Sequence, residues 1–334
     1  MTGYSRITHA TVHLPDDRQN THQIEERLRR HSPGLRIPDG LIERAFGLRE
    51  RTLARPDDLP SDLAARAATT LLRQAGLDPA DIDLLLFAAV SADVREPANA
   101  HIVAAKTRLA CPAFDVSNAC NGVLNALQVA DALIRTGRHH RVLITCGETL
   151  SRLSRWHLTR ATLRTGLTSL TGADVGAAVL VEASEVPGIR ASAFWANSAG
   201  WPAATLFDPQ HAPHRPRGLH VDSDRLLASF LGLDEPVRLW LKERLKEQRA
   251  DVGALDLVGV HQPSVPFADT FCRRMGVEAS QVVTTFPTVG NAAAASLPLQ
   301  LALAAEQGRL APGAEIALFG LASGASAGVM LIRW

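Results

Sequence analysis

The sequence predicts an α/β protein made of two similar halves, and three observations carry that reading. Runs such as DIDLLLFAAVSA (81–92) and RVLITCGE (141–148) are apolar throughout, as strands buried on both faces are. They alternate with segments of helical periodicity, the pattern of a mostly parallel sheet covered by helices on both sides. The same order of elements also occurs twice. ALDLVGVHQPS (254–264) matches DIDLLLFAAVS, and TTFPTVGNAAAASLPLQLALAAEQGRL (284–310) matches AFDVSNACNGVLNALQVADALIRTGRH (113–139). EIALFGLASG (315–324) then matches RVLITCGET. A repeat this long is far from a solenoid unit, so it reads as internal duplication.

Taken in order, MTGYSRITHATVHLPDD alternates like a strand and lacks the charged and apolar blocks of a signal peptide. SDLAARAATTLLRQA (61–75) has helical spacing and stops at Gly76. The buried strand of 81–92 is followed by a loop around Arg95-Glu96-Pro97, a helix AHIVAAKTRL and a strand PAFDVS. NGVLNALQVADALIRTG is a helix closed by Gly137. Residues 186–236, rich in Trp, Pro and His, read as an irregular cap or insertion. The predicted division is an N-terminal half 1–185, the cap 186–236 and a C-terminal half 237–334.

Composition narrows the function classes. With 334 residues, 46% of them hydrophobic, the chain can bury one large core or two fused ones. Its 35 basic residues against 34 acidic ones argue against nucleic-acid binding, which usually shows a basic excess or stripe. No run approaches the ~18 apolar residues of a membrane span. Cys111, Cys120, Cys146 and Cys272 show no CxxC spacing, which predicts a cytoplasmic protein with reduced thiols.

Each half places a reactive side chain at a strand-to-helix junction, where open α/β sheets bind ligands. The first half offers Cys120 in FDVSNACNG; the second offers His261 after LDLVGV and Asn291 after TTFPTVG. A thiol at a helix N-terminus feels the positive end of the dipole, which favours thiolate. A histidine can move its proton, and an asparagine can donate to a developing oxyanion. Together these suggest a covalent acyl-thioester mechanism. Asn118 and Gly122 read as residues for tight geometry around the thiol. Cys111, Cys146 and Cys272 read as small hydrophobes. His211, His214 and His220, in HAPHRPRGLH, lack the frame of a zinc site and read as a basic surface loop.

With FDVSNACNG, VHQPS (260–264) and VGNAAAAS (289–296) in place, the chain resembles thiolase-superfamily condensing enzymes of the β-ketoacyl-ACP synthase III group. GLRERTL (47–53), GADVGAAVL (172–180) and GLASGASAGVMLIRW (320–334) are similar as well. The resemblance implies a thiolase fold: two βαβαβ-type halves in a five-layered α/β/α/β/α arrangement, paired as a homodimer. It implies Cys120 as the acyl-accepting nucleophile, with His261 and Asn291 binding the thioester carbonyl and activating the second substrate. The backbone amides of Cys120 and Ser323 would form the oxyanion hole, Ser323 standing where the group usually has glycine. Coenzyme A or phosphopantetheine thioesters are then substrates rather than cofactors, and the implied partners are acyl-CoA, acyl carrier protein or both. Arg273 and Arg274 resemble a carrier-docking pair, with Ser264 of VHQPS and Arg164 as further substrate-binding candidates.

Two departures from the group refine the expectation. Leu41, Ala45, Thr165 and Pro266 stand where the fatty-acid-initiating enzymes hold the coenzyme A nucleotide with a tryptophan and arginines. That grip would have to be rebuilt, with Arg44, Arg164 or the Trp-rich region as candidates. Glu96, in SADVREPANAH, resembles the glutamate of OleA-type enzymes, and HQPS and ALFGLASG fit that type too. There the glutamate of one subunit acts as base in the other's site, giving a Claisen condensation without decarboxylation. ACNG also occurs in relatives that transfer an acyl group to oxygen or nitrogen, and other relatives are non-catalytic partner subunits. Those transferases keep the Cys–His pair but often change the asparagine, so retention of Asn291 favours carbon–carbon bond formation, and Cys120, His261 and Asn291 together disfavour the partner-subunit reading.

Overall fold

Val142, Ile144 and Cys146 on one side of the run 141–149, and Leu143 on the other, are all buried. This is what a strand apolar throughout requires, since alternate side chains need a core on each face. A computed structural model describes residues 3–215 and 217–334. In chain order its strands are β1 (Tyr4–His13), β2 (Asp17–Asn20), β3 (Glu50–Leu53), β4 (Leu84–Phe87), β5 (Ala113–Asp115), β6 (Arg141–Thr149), β7 (Asp174–Ser184), β8 (Ile189–Ala196), β9 (Ala204–Leu206), β10 (Leu219–Val221), β11 (Leu257–Val260), β12 (Glu315–Ala322) and β13 (Ser326–Arg333). The helices are α1 (Thr21–His31), α2 (Leu41–Phe46), α3 (Pro60–Ala75), α4 (Asn99–Thr107), α5 (Gly122–Arg135), α6 (Leu163–Gly166), α7 (Ser223–Glu247), α8 (Val265–Met275), α9 (Phe286–Val289) and α10 (Ser296–Glu306).

Two sheets dominate, in the orders β1-β7-β6-β4-β5 and β11-β12-β13-β8. Read as β8-β13-β12-β11, the second reproduces the first strand for strand except at β5. The segment before Asn291, expected as that fifth strand, runs without a ladder. The Gln262 side chain holds it instead, donating to Val283 O at 2.9 Å and accepting from Thr285 N at 2.9 Å. The sheets are also mixed rather than mostly parallel. β4 is parallel to β5 and β6, and β11 to β12, but β7, β13, β1 and β8 run antiparallel to their neighbours. The short turn between β12 and β13 allows nothing else, because a parallel pair needs a crossover.

The layers follow from which side chains share a core. α5 and α10 lie between the sheets, where Leu124, Leu127 and Leu299 meet Ile144, Val179, Leu318 and Met330. α3 and α4 cover the outer face of the first sheet, and α7 and α8 that of the second. This makes the five layers α/β/α/β/α. α3 lies unusually close to its sheet: methyls added at the paired Gly147 and Gly176 would fall 1.8 Å from Pro60 O and 2.0 Å from Leu63 O. Two glycines opposite one another let the helix backbone rest on the strands.

Residues 186–236 are not an insertion. β8 completes the second sheet, and the 25-residue α7 packs Phe230, Leu233, Val237, Leu241 and Leu245 onto it. The irregular stretch is confined to 197–222, around the β9–β10 hairpin. Pro236, which punctuates the sequence there, sits inside α7 without ending it.

Candidate active site

Beyond β5 the chain passes through one 3-10 turn, Ala119–Asn121, directly into α5. Ala119 takes φ +45°, a left-handed conformation unfavourable for a residue with a Cβ and held only by its surroundings. Asn118 Nδ2 donates to Asn125 Oδ1 at 2.8 Å, and Asn121 N to Asn118 O at 2.9 Å. Asn121 is fully buried and donates through Nδ2 to Ser326 Oγ at 3.0 Å, tying the turn to β13. The close approach expected at Gly122 falls elsewhere. A methyl at Gly122 would meet its neighbours at an ordinary 3.6 Å, whereas one at Gly320 would lie 2.0 Å from Asn121 Oδ1.

His261 follows β11 and donates its backbone N–H to Phe319 O at 3.1 Å, beside the strand on which the Cys120 turn packs. Its ring is buried, Nδ1 lies 3.0 Å from Ser296 Oγ, and burial lowers its pKa to about 4. Asn291 is fixed by its backbone: its N–H donates to Thr171 O and its C=O accepts from Ala173 N, both at 2.9 Å. Its Oδ1 accepts from Ala293 N at 2.9 Å, so the side chain presents its NH2 group as donor. The turn Ala293–Ala295, led by Ala293 at φ +40°, repeats the geometry of the Cys120 turn, and the two pack together. Fold symmetry therefore pairs Cys120 with Ala294, with Asn291 three residues earlier.

Ser323 lies in the tight turn between β12 and β13, three residues before the Ser326 that receives Asn121. The segments carrying Cys120, His261, Asn291 and Ser323 thus meet at one end of the two sheets. The group beneath them has no local signal in the order of residues. Glu148, at the end of β6, has no exposed surface, and its pKa is raised to about 7, chiefly by burial. Cys146, expected as a plain hydrophobe, places its Sγ 3.9 Å from Glu148 Oε1. Burial first, and then the Glu148 charge, push the Cys120 thiol up to about 12. The thiolate expected from the helix terminus is therefore outweighed by desolvation, and Cys120 rests as a thiol.

The remaining candidates are more dispersed. Glu96 is exposed near the tip of the loop 91–98, and its neighbour Arg95 pairs with Asp208 of the β9–β10 region. The foot of that loop is fixed: Asn99 Oδ1 accepts from Asp93 N at 2.8 Å, and Asp115 caps α4 through Asn99 N and Ala100 N, both at 2.8 Å. Ser264 spends its hydroxyl as the N-cap of α8, accepting from Phe267 N at 3.2 Å. Arg164 pairs with Asp224 at the start of α7, and Arg274 with Asp234. Arg273 donates to Thr270 Oγ1 on its own helix, at 3.1 Å. Ser296, Gln262 and Glu148 carried no sequence signal beyond their position beside a junction. Among the described residues no helix is long and apolar enough to cross a membrane.

Comparison with known proteins identifies the arrangement. The sequence pattern of 3-oxoacyl-(acyl-carrier-protein) synthase III matches residues 114–200, and that of its C-terminal part matches residues 245–334, together more than half of the chain. A crystal structure of OleA from Xanthomonas campestris is 26% identical with a TM-score of 0.90, covering 100% of this chain and 99% of that one. A form of the same protein with bound lauric acid and lauroyl-CoA matches at 26% identity and TM-score 0.90, over 100% of both chains. The FabH 3-oxoacyl-(acyl carrier protein) synthase III of Xanthomonas oryzae is 26% identical with a TM-score of 0.89, over 99% of each chain. The chain belongs to the 3-oxoacyl-(acyl-carrier-protein) synthase III family of the thiolase superfamily and is an acyl-thioester condensing enzyme with OleA-like features.

Proposed function

We propose that the protein condenses two acyl-CoA thioesters head to head, without decarboxylation. The observation that carries this reading is the convergence of the Cys120 turn, His261 and Asn291 at one end of the sheets, with a carboxylate, Glu96, on a loop rooted beside them. The resting thiol and the low-pKa imidazole define the first step. With Nδ1–H donating to Ser296 Oγ, Nε2 of His261 is a free base and takes the Cys120 proton as sulfur attacks the acyl carbonyl. The carbonyl oxygen is met by the backbone N–H groups of Cys120 and Ser323. Coenzyme A departs as a thiol with the proton from His261, leaving acyl-Cys120. The carboxylate of Glu96 then removes an α-proton from a second acyl-CoA, whose enolate oxygen accepts from Asn291 Nδ2. The carbanion attacks the acyl-Cys120 carbonyl, the Cys120 thiolate leaves, and the abstracted proton returns to it. The products are a 3-oxoacyl-CoA and one free coenzyme A.

Glu96 is exposed in the single chain, as are Val94 and Phe114 at 40% each, beside the open edge of β5. A second copy covering this face would dry the loop and carry each Glu96 to the neighbouring site. Among the described residues Arg273 has no carboxylate partner, unlike Arg164 and Arg274, which supports it as the arginine for carrier recognition. The test follows acyl loading and product by mass spectrometry with a panel of acyl-CoA donors. Cys120→Ala abolishes the acyl adduct, and Glu96→Ala keeps the adduct but loses the 3-oxoacyl product. Product formation by Glu96→Ala at the wild-type rate excludes Glu96 as the base.

A further inference from the structure

The mechanism above leaves one buried acid unused. Glu148 Oε1 accepts from Val90 N at 2.9 Å and from Ala294 N at 3.4 Å, while Oε2 accepts from Ser91 N at 3.0 Å. Val90 and Ser91 begin the segment that leads to Glu96; Ala294 belongs to the turn that follows Asn291. A carboxylate with no exposed surface is an expensive group to place in a core unless it has several donors to hold. Here the donors come from two loops distant in sequence, and both loops bear proposed site residues.

We propose that Glu148 is a positioning residue: its carboxylate holds the root of the Glu96 loop and the Asn291 turn in register, behind the turn that carries Cys120. Its charge also reaches the nucleophile, because Glu148 is among the groups that raise the Cys120 thiol. The titratable groups facing it are Cys146, on its own strand, and Cys120, from the opposing turn. The β4 loop and the Asn291 turn face it with backbone amides and the Ser91 hydroxyl. Burial does most to keep Cys120 a thiol, and the carboxylate that holds the two loops adds to that effect.

The assignment rests on Cys120 being the acylated thiol, so its first test needs no acyl donor. Iodoacetamide alkylation of Cys120 in the full chain is followed by peptide mass spectrometry from neutral to alkaline pH. Glu148→Gln removes the charge and one of the two accepting oxygens, leaving the Ser91 N–H without its acceptor; the alkylation midpoint falls by about one pH unit or more. Glu148→Asp keeps the charge but falls short of one donor; its midpoint stays near wild type while condensation slows about tenfold or more, with loading retained. An unmoved midpoint in Glu148→Gln, or wild-type condensation in Glu148→Asp, overturns the proposal. Should the glutamine variant fail to fold, the wild-type profile decides: a Cys120 midpoint at or below that of an ordinary cysteine overturns the electrostatic part. Absence of acyl loading in the wild type with these shifts intact would strike the proposed reaction and spare this assignment.

Discussion

His261 Nδ1 and Ser296 Oγ stand 3.0 Å apart, both buried, one closing β11 and the other opening α10. A neutral imidazole with a pKa near 4 can serve as base only in the tautomer whose free nitrogen faces the thiol, and a hydrogen bond from Nδ1–H to the serine hydroxyl would favour that tautomer. Ser296→Ala should slow acyl loading roughly 10- to 100-fold with little change in fold. Ser296→Thr should recover much of the rate. Single-turnover loading of Cys120 checks both.

Gly320 presents no side chain to Asn121, whose Oδ1 would sit 2.0 Å from an added methyl, with Leu124 Cδ2 at 2.9 Å. Gly320→Ala must displace the buried asparagine that anchors the Cys120 turn. Overpacking of this kind destabilises by about 1–3 kcal/mol. A lowered melting temperature together with lost loading is expected. A variant that melts early yet loads normally would show that the turn tolerates the shift.

Arg51 is 1% exposed, and its guanidinium holds three segments at once. Nη1 donates to Leu170 O at 2.9 Å, Gly172 O at 3.0 Å and Ser154 Oγ at 3.0 Å, while Nη2 donates to Gln19 Oε1 at 2.7 Å. Gly172 is bridged to Asn291, so the arginine braces the asparagine from behind. An ammonium lacks the fork, and Arg51→Lys would leave buried carbonyls unpaired, lowering stability by about 2–4 kcal/mol. Urea denaturation measures it directly.

The ionisable groups of the site oppose one another in pH. Burial raises Glu148 from 4.5 to about 7, so the folded chain holds this proton more tightly than the unfolded chain. Its contribution to stability is complete below about pH 4.5 and declines as pH rises towards 7. His261, lowered from 6.5 to about 4, acts with the opposite sign: stability is reduced in acid and recovers as pH climbs to about 6.5. Between these limits the two changes largely cancel. Cys120, raised from 9.0 to about 12, weakens the fold again in alkali. Thermal melts of Glu148→Gln against wild type should therefore separate above pH 5 in favour of the glutamine's missing charge, less the hydrogen bonds it loses. At pH 8, the thiolate fraction of Cys120 should be roughly a thousandfold lower in the folded chain than in urea, and its alkylation slower accordingly.

Much of this molecule could be read from residue order. Apolar runs such as 141–148 can only be strands with a core on each face, and the recurring strand–junction–helix order announced two sheets with helices between and around them. The positions of Cys120 and His261 just past strands were legible because a polar or thiol residue ending an apolar run is a local pattern. Tertiary structure decided what depends on partners remote in sequence. β8 and α7 looked irregular because short half-buried strands and a helix interrupted by Pro236 carry weak periodicity, and only packing on β13 orders them. The close glycine beside the Cys120 turn is Gly320 rather than Gly122, since Asn121 approaches β12 across nearly two hundred residues. Glu148 closed an ordinary strand in the sequence. Its isolation from water, and the Val90, Ser91 and Ala294 amides that make that isolation bearable, exist only once the two halves have met.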